Sequence, residues 1–218
     1  MAASTSSASL SVVPDGIAEQ DASRIRDGLE FARAIARPAQ SGAIPTGHAA
    51  LDARLPGGGW PQALTELLIP ADGVGELRLL WPALTRLAAR GRIVLVAPPY
   101  VPYAPAWEAA GMPLKSLHVV EAQAVDALWA AEQCMRSGTC AAVLCWPRTS
   151  DARVLRRLQV AAETGRTHAF AIRPAVAARN PSPAALRITI ETGMRRHLRI
   201  IKCRGGFAPP VPIDFPWE

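Results

Sequence analysis

The sequence predicts an α/β fold: a mostly parallel sheet flanked by helices on both faces, with an antiparallel end. Three observations predict it. Residues 63–80 read as an apolar run of strand length, a glycine loop and the start of a helix. From Arg92 onward, short β-rich runs alternate with helix-length segments. Two strand-like runs, Leu186 to Glu191 and Arg196 to Lys202, then follow each other with Gly193 in the turn between them, as in a hairpin.

Taken in order, residues 1–43 form an N-terminal region whose Ala/Ser-rich first 19 residues are expected to be disordered. A helix is expected from Asp21 to Arg37, with Ile25, Leu29, Ala32 and Ala36 on its apolar stripe and Pro38 ending it. Residues 44–206 form one domain. Ala63 to Ile69 is its first strand, Asp72-Gly73-Val74-Gly75 a tight loop, and Glu76 to Arg90 a helix that Pro82 kinks without abolishing. Arg92 to Ala97 is a buried strand, followed by the Pro/Tyr segment Pro98 to Trp107, which is expected to cover the core. Segments Ala104 to Ala110, Ser116 to Val120, Val125 to Ser137 and Cys140 to Cys145 alternate helix and strand, and Val125, Leu128, Trp129, Glu132 and Met135 mix the spacing of core residues with polar edges, so core packing is expected. A helix from Ser150, a good N-cap, to Thr164 and a strand His168 to Ile172 precede the hairpin. Neither face of its second strand is purely apolar, which suits an edge strand with cationic gatekeepers. Residues 207–218 are a Pro-rich tail with Phe207, Phe215 and Trp217 as apolar anchors for a docking partner.

The loop carries the most chemical information. Strand, glycine loop and helix follow in the order of a P-loop, in which backbone N–H groups cradle phosphates, a Lys neutralises them and a hydroxyl holds magnesium. Here Glu76 and Leu77 follow Gly75, so a carboxylate and an alkyl group stand in those two positions. A carboxylate about 4 Å from a phosphate repels it by roughly 4 kcal/mol at an effective dielectric near 20. The sequence therefore marks Asp72, Gly73, Gly75 and Glu76 as a degenerate nucleotide loop.

Composition narrows the remaining classes. No apolar run approaches the ~18 residues of a membrane span, and the N-terminus lacks the features of a signal peptide, so a cytoplasmic protein without a membrane partner is expected. Cys134, Cys140, Cys145 and Cys203 include no C-x-x-C pair, and His48, His118, His168 and His197 are scattered, which predicts buried free thiols and no metal site. No nucleophile elbow or close carboxylate pair accompanies a candidate acid or base, so neither an enzyme nor a cofactor is expected. Net charge is +6, and residues 148–218 hold thirteen Lys/Arg against five Asp/Glu. A one-sided basic surface attracts polyanions or acidic partners, with Arg148, Arg153, Arg156 and Arg157 as DNA or partner contacts and Arg173 and Arg179 as weaker ones.

Thr46 to Gly59, a T-G-x-x-x-L-D-x-x-L-x-G-G-G run followed by ALTELLIP, resembles the entry to the RecA core. Trp107 to Ala122, Arg136 to Pro147 and Ala169 to Ala177 resemble the SulA/ImuA family of RecA-like proteins, and the match runs from about Ile44 to the C-terminus. The complete entry motif and basic C-terminal third are nearer to the ImuA members. That resemblance implies a RecA-like core without ATP hydrolysis. Pro98 and Pro99 stand where RecA-type ATPases place the acid that activates water, and Cys145 and Trp146 stand where a magnesium-binding Asp would end the Walker B strand. It also implies a non-catalytic adaptor in SOS-induced mutagenic translesion synthesis, whose partners are an ImuB-type Y-family polymerase homologue, an error-prone replicative-type polymerase and RecA, with DNA as a further candidate. The alternative is a SulA-like cell-division inhibitor that binds FtsZ.

Overall fold

In the computed structural model, which describes residues 42–148, 151–209 and 211–214, the elements are α1 (Ala49–Asp52), β1 (Leu64–Ile69), α2 (Glu76–Ala88), β2 (Arg92–Val96), α3 (Ala104–Ala109), β3 (Leu117–Val120), α4 (Ala124–Arg136), β4 (Cys140–Cys145), α5 (Ala152–Thr164), β5 (His168–Pro174), β6 (Leu186–Glu191), β7 (His197–Cys203) and β8 (Ile213–Asp214). The strands form one sheet in the order β3-β2-β4-β5-β1-β6-β7-β8. The first six are parallel to their neighbours, while β6–β7 and β7–β8 pair antiparallel. The expected mixed α/β sheet is thus observed. The expected helix Asp21 to Arg37, the expected cap Ser150 and the anchors Phe215 and Trp217 lie outside the described residues.

Strand alternation divides the core into two layers. On one face Leu67, Ile93, Leu95, Leu144, Phe170 and Ile188 pack with Leu80, Leu84 and Leu87 of α2. On the other, Val94, Val143, Cys145 and Ala169 pack with Ala131 and Met135 of α4 and with Leu158, Ala161 and Ala162 of α5. Both faces of the central strands are covered, so β1 is buried at all six positions, as a parallel sheet between helix layers requires. Trp60 stands edge-on to Phe170, ring centroids 5.6 Å apart, and joins the segment before β1 to the first layer.

The entry motif has a structural explanation. Asp52 Oδ1 accepts the Thr46 N–H at 2.8 Å, Thr46 Oγ1 accepts the His48 N–H at 3.0 Å, and Leu51 is wholly buried. Gly47, at φ 90°, passes so close to Pro82 that a Cβ would sit 2.4 Å from the Pro82 ring, so only glycine fits. The Thr, Gly, Leu and Asp of the motif thus fix how the chain enters the fold against α2. Helix α2 runs through Pro82 as expected.

Three expectations are corrected. Asp151, one residue after the expected cap, caps α5, its Oδ1 accepting the Arg153 N–H at 2.8 Å and so satisfying an orphan donor of the first turn. Trp129 is 60% exposed rather than core, because α4 turns Ala131 and Met135 inward instead. Strand β7 is not the sheet edge: Ile213 and Asp214 pair with Leu198 and His197. Its Leu198 and Ile200 are both buried, while Lys202 on the same face is only partly so.

Candidate functional site

Between β1 and α2, Gly73 and Gly75 take positive φ angles of 80° and 100°, conformations that cost glycine little. The turn they make aims two backbone N–H groups at one point. Glu76, the first residue of α2, fills that point with its own side chain: Oε1 accepts the Gly73 N–H at 3.1 Å and Oε2 the Gly75 N–H at 3.0 Å. Glu76 is buried, and its carboxylate also meets the positive end of the helix dipole. Asp72, by contrast, is exposed beside the loop. The donors that could hold an outside anion are therefore engaged by an internal one.

Beside this loop, the C-terminal ends of β2 and β4 are apolar. Ala97, at φ 47°, ends β2 in a conformation uncommon for a non-glycine residue, and Pro98 and Pro99 follow it. A cleft of about 180 Å³ runs from Glu76 and Leu77 past Pro98, Tyr103 and Trp107 to Trp146. Tyr100 and Tyr103 are each 71% exposed, while Trp107 is buried edge-on against Trp81, so the Pro/Tyr segment covers the core through its tryptophan and leaves its tyrosines out. Burial pushes the Cys145 thiol at the end of β4 up to about 12, which keeps it neutral. Among the described residues, no group of three or more His, Cys, Asp or Glu could hold a metal ion.

On the other side of β1 lies an arrangement the sequence did not reveal. Glu66, wholly buried in the centre of β1, accepts from Arg173 Nη1 of β5 at 2.8 Å, from Arg187 Nε of β6 at 2.6 Å and from Ser182 Oγ at 2.9 Å. Arg187 also donates to the carbonyls of Ala177 and Asn180, at 2.8 and 3.1 Å. These bonds tie the turn after β5 to the sheet. Arg173 was expected as a phosphate contact; at 3% exposure, engaged with Glu66, it instead stays inside the fold. Its residue type alone cannot tell a surface cation from a buried one, and its carboxylate partner is 107 residues away.

The remaining candidate arginines fall into two groups. Arg153, Arg156 and Arg157 lie on the outer face of α5 at helical spacing, all exposed. Arg157 pairs with Glu132 of α4 at 2.5 Å, and Arg136 pairs with the same carboxylate at 2.6 Å. Arg148 and Arg179 are exposed at the ends of β4 and of the turn after β5, and line a second cleft together with Arg173. Of the tail anchors, Phe207 is 77% exposed. Ile213, buried in the sheet, ties the tail down instead.

The thiols divide as well: Cys140 and Cys145 are buried, Cys134 and Cys203 only partly. A hydrogen bond with the Cys134 side chain holds the Cys140 thiol down at about 6, against the opposing effect of burial. Their spacing of six residues carries no motif, so this contact was not legible beforehand.

These features define a mostly parallel α/β domain whose glycine loop is closed by its own carboxylate. Compared with known proteins, residues 63–169, from just before β1 into β5, match the family described as "SulA: Cell division inhibitor SulA". Among solved structures, the chain is similar to the crystal structure of SulA from Pseudomonas aeruginosa, with 24% identity over 50% of this chain and 97% of that one, and a TM-score of 0.42. No curated protein sequence matches. The residues similar to the SulA family end before Arg173, so Arg187, the hairpin and most of the arginine-lined cleft lie beyond them.

Proposed function

We propose that the chain is a non-catalytic accessory protein of the response to DNA damage, a RecA-like core that has lost ATP hydrolysis and acts as an adaptor in mutagenic translesion synthesis. Its partners in this reading are an ImuB-type polymerase homologue, an error-prone replicative-type polymerase and RecA. One observation carries the loss of catalysis: Glu76 occupies the N–H groups of Gly73 and Gly75 that a nucleotide phosphate would need. The neutral thiol of Cys145, at the end of the strand where a magnesium ligand would stand, supports the same reading. Exposed Arg148, Arg153, Arg156 and Arg157 and the tail residues Phe207, Phe215 and Trp217 are the contacts we assign to partners, with DNA as a further candidate for the arginines. Two experiments test this. Titration with ATP and magnesium is expected to give neither saturable binding nor phosphate release; turnover by the pure chain would end the reading. Affinity capture from DNA-damaged cells is expected to recover polymerase-type partners or RecA, and deletion of residues 207–218 to weaken capture of the ImuB-type partner.

A second reading is a SulA-like inhibitor of cell division that binds FtsZ. The similarity of residues 63–169 to the SulA family favours it. Overexpression separates the two: filamentous cells with blocked division rings support inhibition, while normal division with altered damage-induced mutation supports the adaptor.

A further inference from the structure

The glycine loop is closed, but a cleft past the C-terminal ends of β4 and β5 is open. It has a volume of about 180 Å³ and is lined by Pro147, Arg148, Arg173, Pro174, Arg179 and Asn180 among others, with no carboxylate in its lining among the described residues. Open α/β sheets bind ligands outside the carboxyl ends of their strands, which is where this cleft lies. Pro147 and Pro174 have no N–H, and the charged donors in the lining are the guanidinium groups of Arg148, Arg173 and Arg179.

A second, independent observation concerns the charge beneath it. Glu66 is one carboxylate between two buried guanidinium groups, Arg173 and Arg187. Lys202, only partly buried, lies at the rim of this cluster: its Nζ donates to the backbone carbonyl of Ser182 at 2.6 Å, the residue whose hydroxyl also reaches Glu66. Burial first, and then Arg204 and Arg187, push the Lys202 ammonium below its ordinary range. A cluster with more cations than anions in a poorly solvated interior is costly until a counter-charge approaches. Arg173 belongs both to the cluster and to the cleft wall, so an anion in the cleft lies against that excess.

We propose that this cleft binds a phosphate group, with Arg148 and Arg179 as the contact residues and Arg173 supplying positive charge from beneath. Guanidinium forks match phosphate oxygens in pairs, and a phosphate monoester carries close to two negative charges near neutral pH. Three arginines around one small space offer more donors than a single carboxylate can accept. The phosphate can come from a free ester such as a nucleotide or from the end of a nucleic-acid strand. The inference does not rest on the adaptor reading, since it concerns the pure chain without any protein partner.

Calorimetric titration of the full chain tests it, using inorganic phosphate, pyrophosphate, and a short single-stranded oligonucleotide with and without a 5′-phosphate. Saturable binding of at least one phosphate species is expected. Arg148→Gln and Arg179→Gln should each weaken it about tenfold, and the double variant should remove it. Arg195→Gln, which removes the same charge from the exposed hairpin turn, should leave it unchanged. Tighter binding of the 5′-phosphorylated oligonucleotide than of pyrophosphate identifies a strand end as the source; the reverse identifies a free ester. Circular dichroism and thermal melting check folding, and the single variants carry the test if the double variant fails to fold. Absence of saturable binding by every species, or an equal loss in Arg195→Gln, would overturn the proposal.

Discussion

The glycine loop of residues 72–76, after β1, and the arginine cleft between Pro147 and Asn180, after β4 and β5, lie at the same C-terminal end of the parallel strands, yet treat charge in opposite ways. In the loop, two N–H donors meet a carboxylate from the adjacent residue, so the anion-binding donors are satisfied within five residues of chain. In the cleft, arginines from two loops converge over a core where Glu66 faces more cations than it can neutralise. The end of the sheet that has closed one anion site has left positive charge exposed at the other. Resemblance to a nucleotide loop therefore does not identify where an anion goes; the charge already committed at each place does.

The largest effect that would break this comparison is at Glu66. Glu66→Ala leaves Arg173 and Arg187 without their shared carboxylate in the interior, and is expected to lower unfolding free energy by about 3–5 kcal/mol in urea denaturation. A loss below about 1 kcal/mol would show that the cluster is not held as the distances indicate.

The next effect is at the far end of β5, the strand that carries Arg173. Burial holds the His168 imidazole down at about 4, against an ordinary value of 6.5, while its Nδ1 lies 3.2 Å from the Pro61 carbonyl. The unfolded chain therefore takes up a proton near pH 6.5 that the folded chain refuses until about 4. Stability from this residue is complete above the higher value and falls as pH drops through that window, by about 3 kcal/mol in all. Denaturation of wild type and His168→Gln across pH 4–7 should show a slope in the first that the second lacks.

At the loop itself, Glu76→Ala removes the acceptor of two N–H groups and is expected to cost about 2 kcal/mol. The same variant sharpens the comparison, because it reopens the loop donors: added pyrophosphate should raise its melting temperature more than it raises that of wild type. Equal shifts would mean that the carboxylate does not seal the loop. The smallest effect is at Arg157, a half-exposed residue whose loss leaves Arg136 on Glu132; Arg157→Ala should change stability by no more than about 1 kcal/mol, and by less in high salt.

Much of this was legible from the chain alone. Strands Leu186–Glu191 and Cys140–Cys145 have the bounds their apolar runs predict, and α2 follows the glycine loop as its pattern requires. Glu76 after Gly75 already signalled a wrong charge for a phosphate. The tail was less legible: Ile213 and Asp214 are too few to read as a strand, and only the open edge of β7 makes them one. Trp129 failed for a related reason, since helical spacing gives the stripe but not which side of it a neighbouring helix covers. Arg173 and Arg179 looked alike in sequence, and burial separated them.

By itself the sequence determined which segments become strands and helices, and that a carboxylate follows the loop glycines, because periodicity, glycine conformation and helix capping act over a few neighbouring residues. Tertiary structure alone decided that Glu66 meets Arg173 and Arg187, 107 and 121 residues further along, and that Arg148 and Arg179 share a cleft. Those neighbours come together only when strand order is set, and strand order follows from how the two helix layers bury the sheet, which no local stretch of the chain encodes.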